Sequence, residues 1–354
     1  MKFKEYLLKD IATITMGQSP KSQFYNEDGK GIEFLQGVRT FGEDFPYFDT
    51  YTTKYNRLAH KNSILFSVRA PVGRVNWATK NIAIGRGVAS ISVKDMVYDR
   101  YVYYYFKKMG SFYDKKATGT VFTSINKKEL ESLKIKIPAS YDDQKRIADK
   151  LAILDRKIHL NQQLNANLLE LASTYFQNFL NNIETTSHFL EEIATINAGG
   201  DKPKDFTQEK DKDHTVPIFS NGITNEGLYG YTSQPKIKDK AVTISARGTI
   251  GYTCLREEPY VPIVRLLSII PKSNMSVYYL YLWLLNVSIQ GFGTTQQQIT
   301  VPVLKKYSID IPKNINTIEI FNKHVSPWFD QIKNGKKENQ ILNNVRTALL
   351  NQMF

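Results

Sequence analysis

Three consecutive glutamines, Gln296, Gln297 and Gln298, follow Thr294 at the end of Gly291-Phe292-Gly293-Thr294-Thr295. A glutamine amide donates and accepts at once, as bidentate contact with the edge of an adenine requires. An earlier stretch occupies the matching place, Lys115-Lys116-Ala117-Thr118-Gly119-Thr120-Val121-Phe122-Thr123-Ser124. Its cations, Lys115 and Lys116, and its small hydroxyls, Thr118, Thr120 and Thr123, suit close approach to phosphates. Two further stretches share a serine, an arginine and a closing glycine: Ser67-Val68-Arg69-Ala70-Pro71-Val72-Gly73 and Ser245-Ala246-Arg247-Gly248-Thr249-Ile250-Gly251. The guanidinium of Arg69 or Arg247 is a rigid fork of donors for a guanine edge or a phosphate, or equally for a structural carboxylate. Arg74 and Arg86 in the first half, and Arg256 and Arg265 in the second, are further candidates of the same kind. So are Gln18, Ser19 and Lys21, and Lys202 and Lys204, and on glycine-marked turns Gln36, Arg39 and Asn221. Any one of these loops taken alone also reads as a polar surface turn.

Chemistry that breaks or makes covalent bonds has no such support. An adenine methyltransferase carries an acid or Asn before Pro-Pro-aromatic, whereas Glu257-Glu258-Pro259-Tyr260 has a single proline. Gly291-Phe292-Gly293 follows an expected helix rather than a first strand, so it is a poor cofactor loop. His60, His159, His188, His214 and His324 are far apart and form no metal-binding pair, so no metal and no catalytic residues are expected. Asp142-Asp143 reads as a helix start, where acids favour the dipole. No Walker loop is present. Lys and Arg number 47 against 34 Asp and Glu, a formal charge of +13 that suits a polyanionic partner or simply a soluble basic protein. With Cys254 alone there is no disulfide framework, and the charged start MKFKEYLLKDIATIT is no export signal, so a cytoplasmic setting is expected. Val277 to Val287 is too short to span a membrane and reads as a buried helix.

The elements that position these residues occur twice. Leu8 with Ile11-Ala12-Thr13-Ile14 is answered by Leu190 with Ile193-Ala194-Thr195-Ile196, each followed by a glycine, Gly17 or Gly199, and a proline. The stretches 62–75 and 240–253 read as strands entering and leaving a tight turn. From Gly119 to Leu180 the chain lies over Gly293 to Phe354 at a constant offset of 174, sharing Ile125/Ile299, Leu130/Leu304, Ile135/Ile309, Ile137/Ile311 and Pro138/Pro312. After Pro138 the positions Ile147, Leu151, Leu154, Ile158, Asn161, Asn165, Leu168, Ala172, Tyr175 and Phe179 alternate steps of four and three, a coiled-coil seam. At the same offset stand Phe321, Val325, Trp328, Ile332, Gly335, Asn339, Leu342, Arg346, Leu349 and Met353. Two such helices, each about 60 Å long, would bury their stripes by pairing antiparallel, with the mid-course polar positions either setting register or leaving a notch for a partner. The competing expectation is that both pack into larger domain cores.

Together, the IATI opening, the serine–arginine–glycine turn, the GT…I…L…IxIP exit and DDQKRIADKLAILDRKI at the helix start resemble the specificity subunit of type I restriction-modification enzymes, over nearly the whole chain. The resemblance implies an α+β fold: two similar target-recognition domains, 1–140 and 184–314, joined by two long antiparallel coiled-coil helices, 141–183 and 315–354, in a pseudo-two-fold repeat. It implies a non-catalytic partner of double-stranded DNA, each domain reading half of a bipartite, asymmetric site. It also implies two methyltransferase subunits docked on the helices and, in the full complex, restriction subunits. S-adenosylmethionine, Mg and ATP would belong to those partners, with no cofactor of the chain's own. A type IIB-like recognition subunit shares the plan, and a basic scaffold that binds no DNA is the reading from another class. Asn316-Thr317-Ile318-Glu319-Ile320-Phe321 departs from the charged start seen at Asp142 to Ile147.

Overall fold

A computed structural model describes residues 1–117, 124–272, 274–287, 289 and 298–354, with backbone alone at 111–117. The chain is α+β and forms two compact units: Met1–Leu160 with Glu338–Phe354, and Asn161–Lys337.

The first unit is built on a four-stranded antiparallel sheet in the order Ala12–Met16, Val88–Val93, Ile64–Ser67, Val75–Trp77. Ile64, Leu65 and Phe66 are all fully buried, because one face of the strand meets the helix Asp99–Ala117 and the other a second, smaller core. A strand buried on both faces is continuously apolar rather than alternating. The exit strand Lys134–Pro138 does alternate, with Ile135 and Ile137 inward and both lysines outward, and pairs antiparallel with Phe3–Leu7. Before it, Asn126 and Glu129 close a capping box on the short helix Lys127–Glu131.

The second unit repeats this plan strand for strand: Ala194–Ala198, Leu267–Pro271, Ala241–Ile244, Thr253–Arg256, with Thr185–Phe189 paired to Ser308–Pro312. Val277–Asn286 is the expected buried helix, capped by Ser276. The short helix Val301–Lys305 and the strand Ser308–Pro312 keep the offset of 174 from their counterparts. The peripheral sheets differ more: five short strands in the first unit and three in the second, each with one parallel pair.

The long helices are Tyr141–Asn181, the central helix, and Asn316–Met353, the terminal helix. Inside each unit they run antiparallel. In the first, Asn339 Nδ2 donates to the Ile158 carbonyl at 3.3 Å, while Arg346 reaches back to Asp155 at 2.8 Å. In the second, the Tyr175 ring meets Trp328 at 5.6 Å and Phe179 meets Phe321 at 4.9 Å. A side chain at Gly335 would come within 2.7 Å of Asn165 Oδ1, so the small residue in the seam makes room for the asparagine opposite. The helices also enter the domain cores. Phe176 and Phe329, outside the expected seam, are buried among the sheet-facing residues of the second unit, whereas Leu154, Leu168 and Leu342 within it are only half-buried. Each helix half therefore packs on two sides, which takes a wider apolar stripe than a two-stranded coil. The division between units falls inside both helices for the same reason.

Candidate nucleic-acid interface

The serine–arginine–glycine turn has the same construction in both units. The closing glycine donates its N–H to the serine carbonyl at 3.0 Å, from Gly73 to Ser67 and from Gly251 to Ser245. Both glycines sit at positive φ, 91° and 83°, where a side chain would be strained. Ser67 Oγ donates to the Pro71 carbonyl at 2.7 Å and accepts the Arg74 N–H at 2.9 Å, so the turn is braced from within. The residue before each arginine accepts a backbone hydrogen bond from the approach to the short helix: Ile125 N–H to Val68 at 2.9 Å, Ile299 N–H to Ala246 at 3.0 Å. Arg69 and Arg247 are left exposed on rigid supports.

In the first unit the turn borders a concavity of about 350 Å³ whose lining includes Ser19, Gln36, Arg39, Arg69 and Arg86. Three loops distant in sequence meet there. Gly17 permits it, since a Cβ at that position would lie 2.1 Å from the Gly85 carbonyl oxygen. Arg86 N–H donates to Ser19 Oγ at 3.3 Å and Gly87 N–H to the Gln36 carbonyl at 3.0 Å. Arg39 is held in a two-pronged pair with Asp49, at 2.6 and 2.8 Å. The hydrogen bond and charge of Arg39 keep the Asp49 carboxyl below its ordinary range, and Asp49 in turn raises Arg39. Arg69 has no side-chain partner among the described residues, so its donors remain available. Arg74, Gln18 and Lys21 are exposed but do not line the concavity.

In the second unit Arg247 donates through Nε and Nη2 to Gln298 Oε1 at 3.2 and 3.0 Å, uniting the arginine turn with the end of the glutamine run. Asn221 does a different job from the one its chemistry suggests. Its Oδ1 accepts from Ala246 N–H at 2.8 Å and its Nδ2 donates to the Val264 carbonyl at 2.7 Å, pinning the arginine turn to the loop that holds exposed Arg265. Arg256 requires a correction. It is buried, with Nε on Thr243 Oγ1 at 3.0 Å, Nη2 on the Glu226 carbonyl at 2.6 Å and the guanidinium 3.6 Å above the Phe219 ring, so it braces the core instead of facing a ligand. Lys202 lies exposed over Phe206 at 4.2 Å, and Lys204 is exposed. Thr118, Thr120, Thr123, Thr294, Gln296 and Gln297 fall outside the described residues, as do the side chains of Lys115 and Lys116.

Two participants carried no sequence signal. Asp49 is ten residues from Arg39 in no motif, and Tyr229, packed on Phe206 beside Lys202, lies on a strand from elsewhere in the unit. Among the described residues no three His, Cys, Asp or Glu side chains are grouped to hold a metal ion, and no helix is long and apolar enough to cross a membrane.

The family model described as "Type I restriction modification DNA specificity domain" matches twice, over residues 1–170 and 182–343. A Methanocaldococcus jannaschii protein provisionally named the MjaX type I restriction enzyme specificity subunit is 42% identical over 151 residues, 42% of this chain and 35% of that one. The chain thus spans about a third of that relative's length. A second from the same organism, the type I restriction enzyme MjaIX specificity subunit, is 24% identical across 97% of this chain and 90% of its own. Among solved structures, the S subunit of a type I restriction-modification system from M. genitalium superposes with a TM-score of 0.66 at 19% identity, covering all of this chain and 96% of that one, a likeness of fold.

Proposed function

This chain belongs to the type I restriction modification DNA specificity family, and on that premise we propose that it is the sequence-reading subunit of a methyltransferase complex, each unit reading one half of a split, asymmetric DNA site. The observation that carries the reading is the arginine turn. Both units present an outward arginine, Arg69 or Arg247, on a braced hairpin pinned to the approach of the short helix. A guanidinium fork reads guanine edges or fixes phosphates, and a hairpin fixed beforehand spares the backbone part of the ordering cost. The Arg247–Gln298 pair adds an amide at the same place, and the exposed lysines supply the salt-dependent attraction to the backbone.

The chain brings recognition, and the methyl transfer, with its S-adenosylmethionine, is assigned to partner subunits, as are any Mg- and ATP-dependent steps. Docking of such partners is supported by the central helix, which exposes Ile153 and Leu160, seven residues apart, in the first unit and Leu164 and Leu171, likewise seven apart, in the second.

The test is to co-express the chain with the methyltransferase subunit encoded beside it and map methylated adenines in host DNA by long-read sequencing. A split motif is expected. Arg69→Ala should relax or abolish one half and Arg247→Ala the other, each by about 1–3 kcal/mol of base discrimination. A stable complex that methylates no defined motif refutes the reading.

A further inference from the structure

The first unit contains a second concavity, of about 400 Å³, between its globular part and residues 152–159 of the central helix. Aromatic rings form its floor: Phe45, Trp77, Tyr103 and Tyr104, with Trp77 edge-on to Tyr103 at 5.6 Å. We propose that this cleft docks a protein partner, taking an aromatic side chain that is flanked by carboxylates.

The charge balance selects the occupant. Two acids line the cleft, Asp44 and Asp155, and each is engaged by a hydroxyl and a cation, although Arg346 is shared with Glu43 at 2.9 Å. Tyr103 Oη donates to Asp44 at 2.8 Å and Tyr104 Oη to Asp155 at 2.7 Å; Lys107 pairs with both acids, and Arg346 bonds Asp155 at 2.8 Å. Arg100, Arg156 and His159 remain on the rim, exposed, and among the described residues neither arginine has a salt-bridge partner. An apolar floor under unpaired cations is complementary to an apolar body with acidic neighbours. The floor's two tyrosine hydroxyls already donate their hydrogen bonds to carboxylates, so they offer no donor to the polar edge of a nucleobase, whereas a phenyl ring needs none.

The cleft also lies at a distance from the arginine turn. Trp77 pairs with Ile64, at the opposite end of the hairpin from Arg69, about 16 Å off at 3.3 Å per residue. In the second unit the equivalent place is filled. Phe329 stands where the repeat offset puts Asp155, and it is buried, stacked on Tyr278 at 4.4 Å and 3° and edge-on to Tyr281 at 5.9 Å. Tyr278 in turn occupies the position of Arg100, four residues being lost between the repeats after this helix. One repeat thus closes the site with its own ring, while the other leaves an opening of about 400 Å³ rimmed by arginines.

The experiment uses the full chain and fluorescein-labelled pentapeptides followed by anisotropy: Gly-Glu-Phe-Asp-Gly, its Phe-to-Ala version, and Gly-Lys-Phe-Lys-Gly, with AMP as an unlabelled competitor. Only the first should bind below about 1 mM, with each change costing about tenfold. Arg156→Glu and Phe45→Ala, both at exposed positions, should each weaken it about tenfold without altering the melting temperature. The proposal is overturned if the first peptide does not bind, if all three bind alike, if either variant retains full affinity, or if AMP occupies the cleft in place of the peptide.

Discussion

Arg346 is the side chain on which the terminal helix of the first unit turns. Its Nη1 bonds Asp155 on the central helix at 2.8 Å and Glu43 of the globular part at 2.9 Å, and its side chain is only 14% exposed. Burial by itself would lower its pKa, but the hydrogen bonds and charges of Asp155 and Glu43 carry it upward, so the guanidinium keeps its charge. Replacing Arg346 with Met keeps most of the stem and removes the fork. Breaking a fully buried pair costs about 3–5 kcal/mol, because one charge is stranded. Here Asp155 retains the Tyr104 hydroxyl and Lys107, and some solvent reaches it, so the expected loss is about 2–3 kcal/mol. Amide hydrogen exchange reads this by segment. Core amides of residues 1–160 and 338–354 should exchange about 30- to 150-fold faster, since each 1.4 kcal/mol is a factor of ten. Core amides of 161–337 serve as the internal reference. Lys157→Ala, which removes only the exposed 3.2 Å pair with Glu338, should change exchange less than about fivefold. The reasoning fails if Arg346→Met accelerates the first unit by less than about threefold, or if Asp155→Asn and Arg346→Met prove additive in a double-mutant cycle.

The second unit offers three further tests. Phe321, fully buried against Phe176, Phe179 and Tyr279, should cost about 3–5 kcal/mol on truncation to Ala, read as a fall in urea midpoint at unchanged slope; a loss under 1 kcal/mol would show the cluster collapses to fill the space. Among the described residues Gly251→Ala meets nothing nearer than 3.7 Å, so a cost of about 1–2 kcal/mol is expected from the positive φ, and a thermally neutral variant would refute that account. Burial pushes the Cys254 thiol up, so native protein should react with a thiol reagent only as fast as the second unit opens, accelerating with urea; prompt labelling without denaturant contradicts the structure.

Much of this protein was legible along the chain because repetition and period are local properties. The offset of 174 marks matched exit strands and short helices, the four-and-three alternation marks both long helices, and the glycines of the arginine turns mark positive φ. Each of these follows from backbone geometry acting over a few residues. Direction and partnership do not. Arg256 and Arg69 are alike as residues, yet one lies inward on a phenylalanine ring and the other outward with its donors available, since strands from four parts of the chain decide which face is covered. Asn221 has the amide of a base reader and holds two loops together instead. Phe176 and Phe329 lie off the heptad seam and are buried because the helices pack on sheets as well as on each other. The sequence by itself determined the duplication, the element types and the turn chemistry. Only the tertiary structure decided which cations face solvent, which amides brace the loops, and that Phe329 fills in one repeat the cleft that Asp155 leaves open in the other, because burial is set by neighbours far away along the chain.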